Sequence, residues 1–66
     1  MRTSLEFYEC EHNGDLDNYI EDIESCGGCV INSSINLEAE IGYVMIEHSP
    51  DFWDKFKETD AFNFLN

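Results

Sequence analysis

Three kinds of side chain in this chain could do chemistry: the thiols of Cys10, Cys26 and Cys29, the imidazoles of His12 and His48, and a dense set of carboxylates. They come closest together in DLDNYIEDIESCGGC, Asp15 to Cys29, where five carboxylates precede a CxxC pair and no Lys or Arg intervenes. A CxxC pair suggests disulfide exchange, yet redox pairs place a cysteine at a helix N-terminus, where the dipole stabilises thiolate. Cys26 instead ends a helical pattern in acidic surroundings, and neither feature activates a thiol. The plainer reading is a helix end, a diglycine turn and a strand start.

Zinc is the second candidate, because Cys10-Glu-His12 and Cys26-Gly-Gly-Cys29 supply four ligands of the right kind. The helix expected between them holds the two pairs roughly 18 Å apart at 1.5 Å per residue. One zinc needs all four donors within about 2.3 Å of the ion, so the geometry argues against it. Calcium is the third. Asn13, Asp15, Asp17, Ile20 and Glu24 fall at the spacing of an EF-hand loop. Asn18 stands where that loop turns on glycine, Asn13 replaces the leading Asp, and the helical pattern runs through the loop. No metal and no cofactor are therefore expected.

Catalysis has less support. Nothing pairs His12 or His48 with a nucleophile, and both read as solvent-facing residues at strand ends. There is no Gly-rich phosphate loop and no nucleophile elbow. A single sheet layer in so short a chain leaves little room for a water-excluding pocket. The chain is not expected to be an enzyme.

The elements that carry these residues follow from periodicity. TSLEFYEC, residues 3–10, alternates like a strand, with Leu5 and Phe7 on one face and Glu6 and Tyr8 on the other. Leu16, Tyr19, Ile20 and Ile23 follow the spacing of an amphipathic helix, extended by Cys26 and ended by Gly27 and Gly28. CVINSSI and IGYVMIEH read as two strands joined by an irregular hairpin around Leu37 to Ile41. Ser49 and Pro50 open a second helix as N-cap and first residue, with Phe52, Trp53 and Phe56 on its apolar face. Thr59 is expected to cap a further short turn carrying Phe62, Phe64 and Leu65. The expected fold is α+β, in the order β-α-β-β-α: a three-stranded sheet with both helices on one face. That is a truncated ferredoxin-like, split β-α-β arrangement without its last strand.

Length and charge set the function class. Sixty-six residues make one domain, 1–66, near the lower limit for folding without metals or disulfides. Hydrophobic residues at 42% suffice for a small core and exclude a disordered acidic tail. The formal charge is −12, with thirteen Asp or Glu and no Lys or Arg from Thr3 to Asp54. Such a field disfavours DNA, RNA and anionic membranes as direct partners and favours basic protein surfaces. No signal peptide or membrane span is read, and three cysteines without a signal peptide point to a reducing cytoplasm and free thiols.

Solvated helix faces usually mix signs, because opposite charges at i, i+4 stabilise a helix and like charges destabilise it. Here Asp17, Glu21 and Glu24 line one stripe, with Asp22 beside it and Asp15 at its start. Glu24 even sits near the negative end of the helix dipole. Glu38 and Glu40 form a second patch at the hairpin. Neighbouring helical carboxylates at i, i+4 lie about 5–6 Å apart at Cβ, comparable in scale with a DNA backbone that presents one phosphate per about 3.4 Å of axis on each strand. An array of this kind can occupy a Lys/Arg-lined groove built for nucleic acid.

In size, charge and sign segregation, most concentrated in DLDNYIEDIE, the chain resembles the small acidic DNA-mimic inhibitors of phages and mobile elements, including many anti-CRISPR proteins. The resemblance covers the whole chain and rests on no motif. It implies a monomeric protein of the host cytoplasm that binds a basic nucleic-acid-binding protein, with a Cas effector's DNA-binding surface as the leading target. Asp15, Asp17, Glu21, Asp22, Glu24, Glu38 and Glu40 are the expected contacts, each a phosphate surrogate for Arg or Lys. Two other readings stay open. A salt-adapted organism would also produce such a surface, and a protein–protein adaptor could use the aromatic segment DFWDKFKETDAFNFLN.

Overall fold

The computed structural model describes residues 1–65. Its elements are β1 (Arg2–Glu9), α1 (Asp15–Ser25), β2 (Cys29–Asn36), β3 (Ile41–His48) and α2 (Phe52–Phe56), followed by a 3-10 turn over Asp60–Phe64. The three strands form one antiparallel sheet in the order β1-β3-β2. β3 is therefore central, and β1 and β2 flank it running parallel to each other.

The α+β class, the three strands and the helices on one face match the sequence reading. The inner face of β3 presents Gly42, Val44, Ile46 and His48. Against it pack Leu16, Tyr19 and Ile23 of α1 and Phe52 and Phe56 of α2, all buried. Burying a Leu, Ile or Phe side chain contributes about 1.5–3 kcal/mol, so this shared interior holds the two layers together. Tyr8 stacks on Tyr19 at 5.3 Å and meets Phe56 edge-on at 6.5 Å, joining β1 to both helices.

The run CGGC is a helix stop. Gly27 takes φ 93°, a left-handed conformation that glycine adopts without a Cβ clash. The Gly28 amide bonds the Ile23 carbonyl at 2.9 Å and that of Gly27 bonds Glu24 at 3.2 Å, the paired bonds of a Schellman cap. A Cβ on Gly28 would lie 2.5 Å from Ile23 Cγ2 and 3.0 Å from Phe52 Cε1, so the second glycine is required by packing.

Three local expectations are corrected. α2 begins at Phe52, not at Pro50, and Ser49 caps nothing: its hydroxyl donates to the Asp51 carboxylate. The Thr59 hydroxyl turns back to the Phe56 carbonyl at 2.7 Å and does not cap the 3-10 turn. His48 is not solvent-facing. It is 2% exposed, ring against ring with Phe52 at 4.9 Å, with Nε2 2.8 Å from Ser4 Oγ and Nδ1 2.9 Å from the Ser49 carbonyl. Both ring nitrogens are satisfied, which is what lets an imidazole occupy a core position.

Candidate protein-binding surface

α1 carries most of the acidic surface, because its apolar stripe turns inward and leaves the remaining positions to solvent. Asp17, Glu21 and Glu24 are exposed, as the spacing implied. The other two helix acids are engaged within the fold. Asp15 Oδ2 accepts the amides of Glu11 at 2.9 Å and His12 at 3.0 Å and lies 3.6 Å from the exposed His12 ring. These amides hold the Asp15 carboxyl below the usual Asp range, the His12 amide first and that of Glu11 second. Asp22 is half-buried and accepts the Ala61 amide at 3.3 Å, tying the 3-10 turn to α1. The sequence placed all five acids on one helix but could not show that two of them are structural.

Between α1 and the 3-10 turn runs a groove. A cleft of about 350 Å³ is lined by Asp15, Asn18, Tyr19, Glu21, Asp22, Asp60, Ala61 and Phe64. A second of about 190 Å³ shares Asp15, Tyr19 and Phe64 and adds Glu9 and Glu11. Together they bring carboxylates of α1, of the β1 end and of the 3-10 turn around Tyr19 and Phe64, whose rings stack at 5.3 Å. The Tyr19 hydroxyl donates to the Glu9 carbonyl at 2.9 Å, and burial and then the nearby Asp15 carboxylate push its pKa up. Tyr19 is buried in a stack between Tyr8 and Phe64, so the exposed Phe64 ring, with the surrounding carboxylates, is what a guanidinium or ammonium group would meet for cation–π contact and ion pairing.

Glu38 and Glu40 lie in the β2–β3 turn and are exposed. The Asn36 side-chain oxygen shapes the turn by accepting the amides of Glu38 at 3.1 Å and Ala39 at 3.2 Å. Glu40 has φ 55°, and its carbonyl accepts the Cys10 amide at 3.0 Å. A left-handed conformation costs a non-glycine residue roughly 1–2 kcal/mol, so a glutamate stands where glycine fits better. The hairpin adjoins the end of β1, since Glu9 pairs with Ile41. The second acidic patch therefore borders the Glu9–Glu11 end of the groove.

Only two ion pairs form among the described residues, His12–Asp15 and Lys55–Asp51, each at 3.6 Å. Thirteen of the fifteen carboxylates thus form no ion pair within 4 Å among the described residues. The charge is not neutralised within the fold.

His48 is buried away from this surface, whereas the exposed His12 ring stands beside Asp15 at its edge. Cys10 and Cys26 are buried core residues and Cys29 is exposed at the start of β2; all three are free. Burial, then the Asp15 carboxylate, pushes the Cys10 thiol up, away from reactivity. The two zinc-type pairs lie at opposite ends of an unbroken α1, and the EF-hand spacing runs through that same helix. Among the described residues no three His, Cys, Asp or Glu side chains are grouped as a metal site requires. No helix among them is long and apolar enough to cross a membrane.

No family model, curated protein or solved structure matches the chain. The site therefore rests on its own geometry. The sequence counts Glu9 and Glu11 among the acids around α1 but does not place them in the groove, and the parts of Asp60 and Phe64 were missed, because all four enter by tertiary contact.

Proposed function

We propose that this protein is an acidic nucleic-acid mimic that binds the Lys/Arg-rich surface of a nucleic-acid-binding protein and competes with its DNA or RNA. The observation that carries this reading is the uncompensated acidic groove of α1, continued onto the hairpin. Asp17, Glu21 and Glu24 present the outer row of charge, Asp15 and Asp22 line the groove, and Glu38 and Glu40 extend the patch. The likeness in size and sign segregation to phage-encoded inhibitors supports an anti-CRISPR role in the host cytoplasm, blocking DNA recognition by a Cas effector. In the same reading the sheet is the first three strands of a ferredoxin-like, split β-α-β fold, a scaffold that leaves the acidic helix outermost.

A second reading, an adaptor using the aromatic C-terminal segment, draws on one observation. Phe52 and Phe56 are fully buried, but Phe62 and Phe64 remain 40% and 42% exposed. Phe64 already belongs to the groove, so the same aromatic side chain would serve a basic partner.

The test is the triple variant Asp17→Lys, Glu21→Lys, Glu24→Lys in a DNA-displacement assay against candidate Cas effectors. The wild-type chain should release bound target DNA, with an effect that weakens steeply as salt rises. The variant should release none while keeping the wild-type circular dichroism spectrum. Equal displacement by the variant moves the interface off α1.

A further inference from the structure

The two edges of the sheet are not alike. On β2 the pairing with β3 slips between Val30 and Asn32, a bulge that turns an edge out of line and discourages strand addition. β1 pairs with β3 without a break from Arg2 to Glu9. Its outer side already accepts one antiparallel neighbour, since Leu65 bridges Tyr8. That bridge closes the Tyr8 end and leaves Arg2 to Glu6 as a regular strand edge with no partner among the described residues.

This edge also holds the one Lys or Arg of the sheet, Arg2. Arg2 pairs with the buried His48 and shares the helix-side face with Ser4, Glu6 and Tyr8. Neither Arg2 nor Glu6 forms an ion pair among the described residues. Within one chain they cannot meet, because four residues of strand hold them roughly 13 Å apart.

We infer that the Arg2–Glu6 edge pairs with the same edge of a second copy, antiparallel and two-fold symmetric, with Ser4 opposite Ser4. The charges choose this register. Opposite residues of an antiparallel pair lie on one face, with Cβ atoms about 4.5–5.5 Å apart, so Arg2 can face only another helix-side residue. Centred on Ser4, the pair sets Arg2 of each copy opposite Glu6 of the other and makes two ion pairs. Centred on Leu5, it would set Arg2 against Tyr8, where Leu65 already sits. Centred on Thr3, it would leave Glu6 facing no residue, and centred on Glu6 it would oppose two carboxylates.

The two-fold axis then stands perpendicular to the sheet. Both α1 helices fall on the same face of a continuous six-stranded sheet. Five residues a side bury far less than the ~800 Å² per partner of a standard interface. The dimer is therefore weak, forming at about 0.1–1 mM chain, and the chain is monomeric at the micromolar concentrations of a melting or displacement experiment.

The test is sedimentation equilibrium at chain concentrations up to about 2 mM and about 0.15 M salt, where the Debye length is ~8 Å. The mass should rise from 7.7 kDa toward twice that value. In nitrogen–proton correlation spectra over the same range, concentration-dependent amide shifts should concentrate on Arg2 to Glu6 and spare β2. Arg2→Glu and Glu6→Arg should each weaken association at least about four-fold, and the double exchange should restore it, because each cross-strand pair occurs twice per dimer. Glu6→Gln, a smaller change, should weaken it about two-fold or more. The two Glu6 variants are the sharpest arms. Both reduce the net negative charge, so general repulsion alone would tighten association, whereas cross-copy pairing requires weakening. Circular dichroism checks that each variant is folded, and the amide map of the wild-type chain decides the matter where one is not. A mass that stays at 7.7 kDa throughout, shifts that map to β2 or to the open sheet face, or folded Glu6 variants that associate as well as the wild type would each overturn the inference.

Discussion

Replacing Glu24 by lysine separates charge kept for a partner from charge kept for the fold. Glu24 is exposed in the last turn of α1, which contains no basic residue, and lies one turn after the exposed Glu21. A carboxylate there faces the negative end of the helix dipole; a lysine would reverse that interaction, worth about 0.3–1 kcal/mol. The Glu21–Glu24 repulsion would become an i, i+3 attraction, a change of about 0.4–1 kcal/mol over both signs. Glutamate and lysine have nearly equal helix propensity, so no opposing backbone effect arises. Together these terms come to about 1 kcal/mol of stabilisation at low ionic strength, or about 5 °C in melting temperature for so small a domain. Thermal denaturation followed by circular dichroism should show this rise in about 10 mM salt and most of it gone by about 0.5 M, as screening shortens the Debye length. In the displacement assay the same variant should lose about ten-fold in affinity, equivalent to about 1.4 kcal/mol. A melting temperature that falls, or does not move at low salt, would show that Glu24 already has a favourable role inside the fold. The claim that the helix carries uncompensated charge would then fail.

Three further outcomes follow from individual side chains. Glu6 points toward the helices, and burial raises its carboxyl pKa, an effect the nearby His48 partly offsets; a raised carboxyl favours the folded state at low pH and disfavours it once ionised. Glu6→Gln should accordingly raise the melting temperature at pH 7, with the advantage disappearing as the pH falls below the ordinary Glu value of 4.5. Tyr8→Phe should stabilise the protein by about 1 kcal/mol in urea denaturation, because the fully buried Tyr8 hydroxyl has no hydrogen-bond partner among the described residues and its removal ends a desolvation penalty. Glu40→Gly should gain up to about 1 kcal/mol by relieving the left-handed backbone, read in the same denaturation assay, while weakening DNA displacement.

The parts of this fold that were legible in the sequence are the ones written in local patterns. The apolar spacing of Leu16, Tyr19 and Ile23 and the diglycine after Cys26 define α1 to within a residue of its observed end. The β-branched and aromatic runs define β2 and β3. The strand 3–10 was also visible, but its alternation did not say which face is buried. Leu5 and Phe7 turn outward, and Ser4, Glu6 and Tyr8 turn toward the helices, because Tyr8 fits between Tyr19 and Phe56 while Ser4 meets the buried His48. That inversion was not readable from the strand alone, since it depends on partners more than ten residues distant. His48 was misplaced for the same reason: an isolated histidine carries no local sign that Ser4, 44 residues earlier, will satisfy it. Among the acids, the charge row of Asp17, Glu21 and Glu24 was evident. Asp15 has a local duty, accepting the Glu11 and His12 amides in the turn before α1, whereas the structural duty of Asp22, and the contribution of Phe64 and Asp60 to the groove, exist only once the chain end folds back on α1.

The central claim is that this anionic surface takes the place of a nucleic-acid backbone. Its most direct measurement is release by DNA: immobilised protein is loaded with candidate Cas effectors at low salt and challenged with excess duplex DNA. The bound effector should leave on addition of DNA and be retained on addition of an equal amount of an uncharged polymer. An effector that stays bound in saturating DNA, or that never binds at low salt, would contradict it.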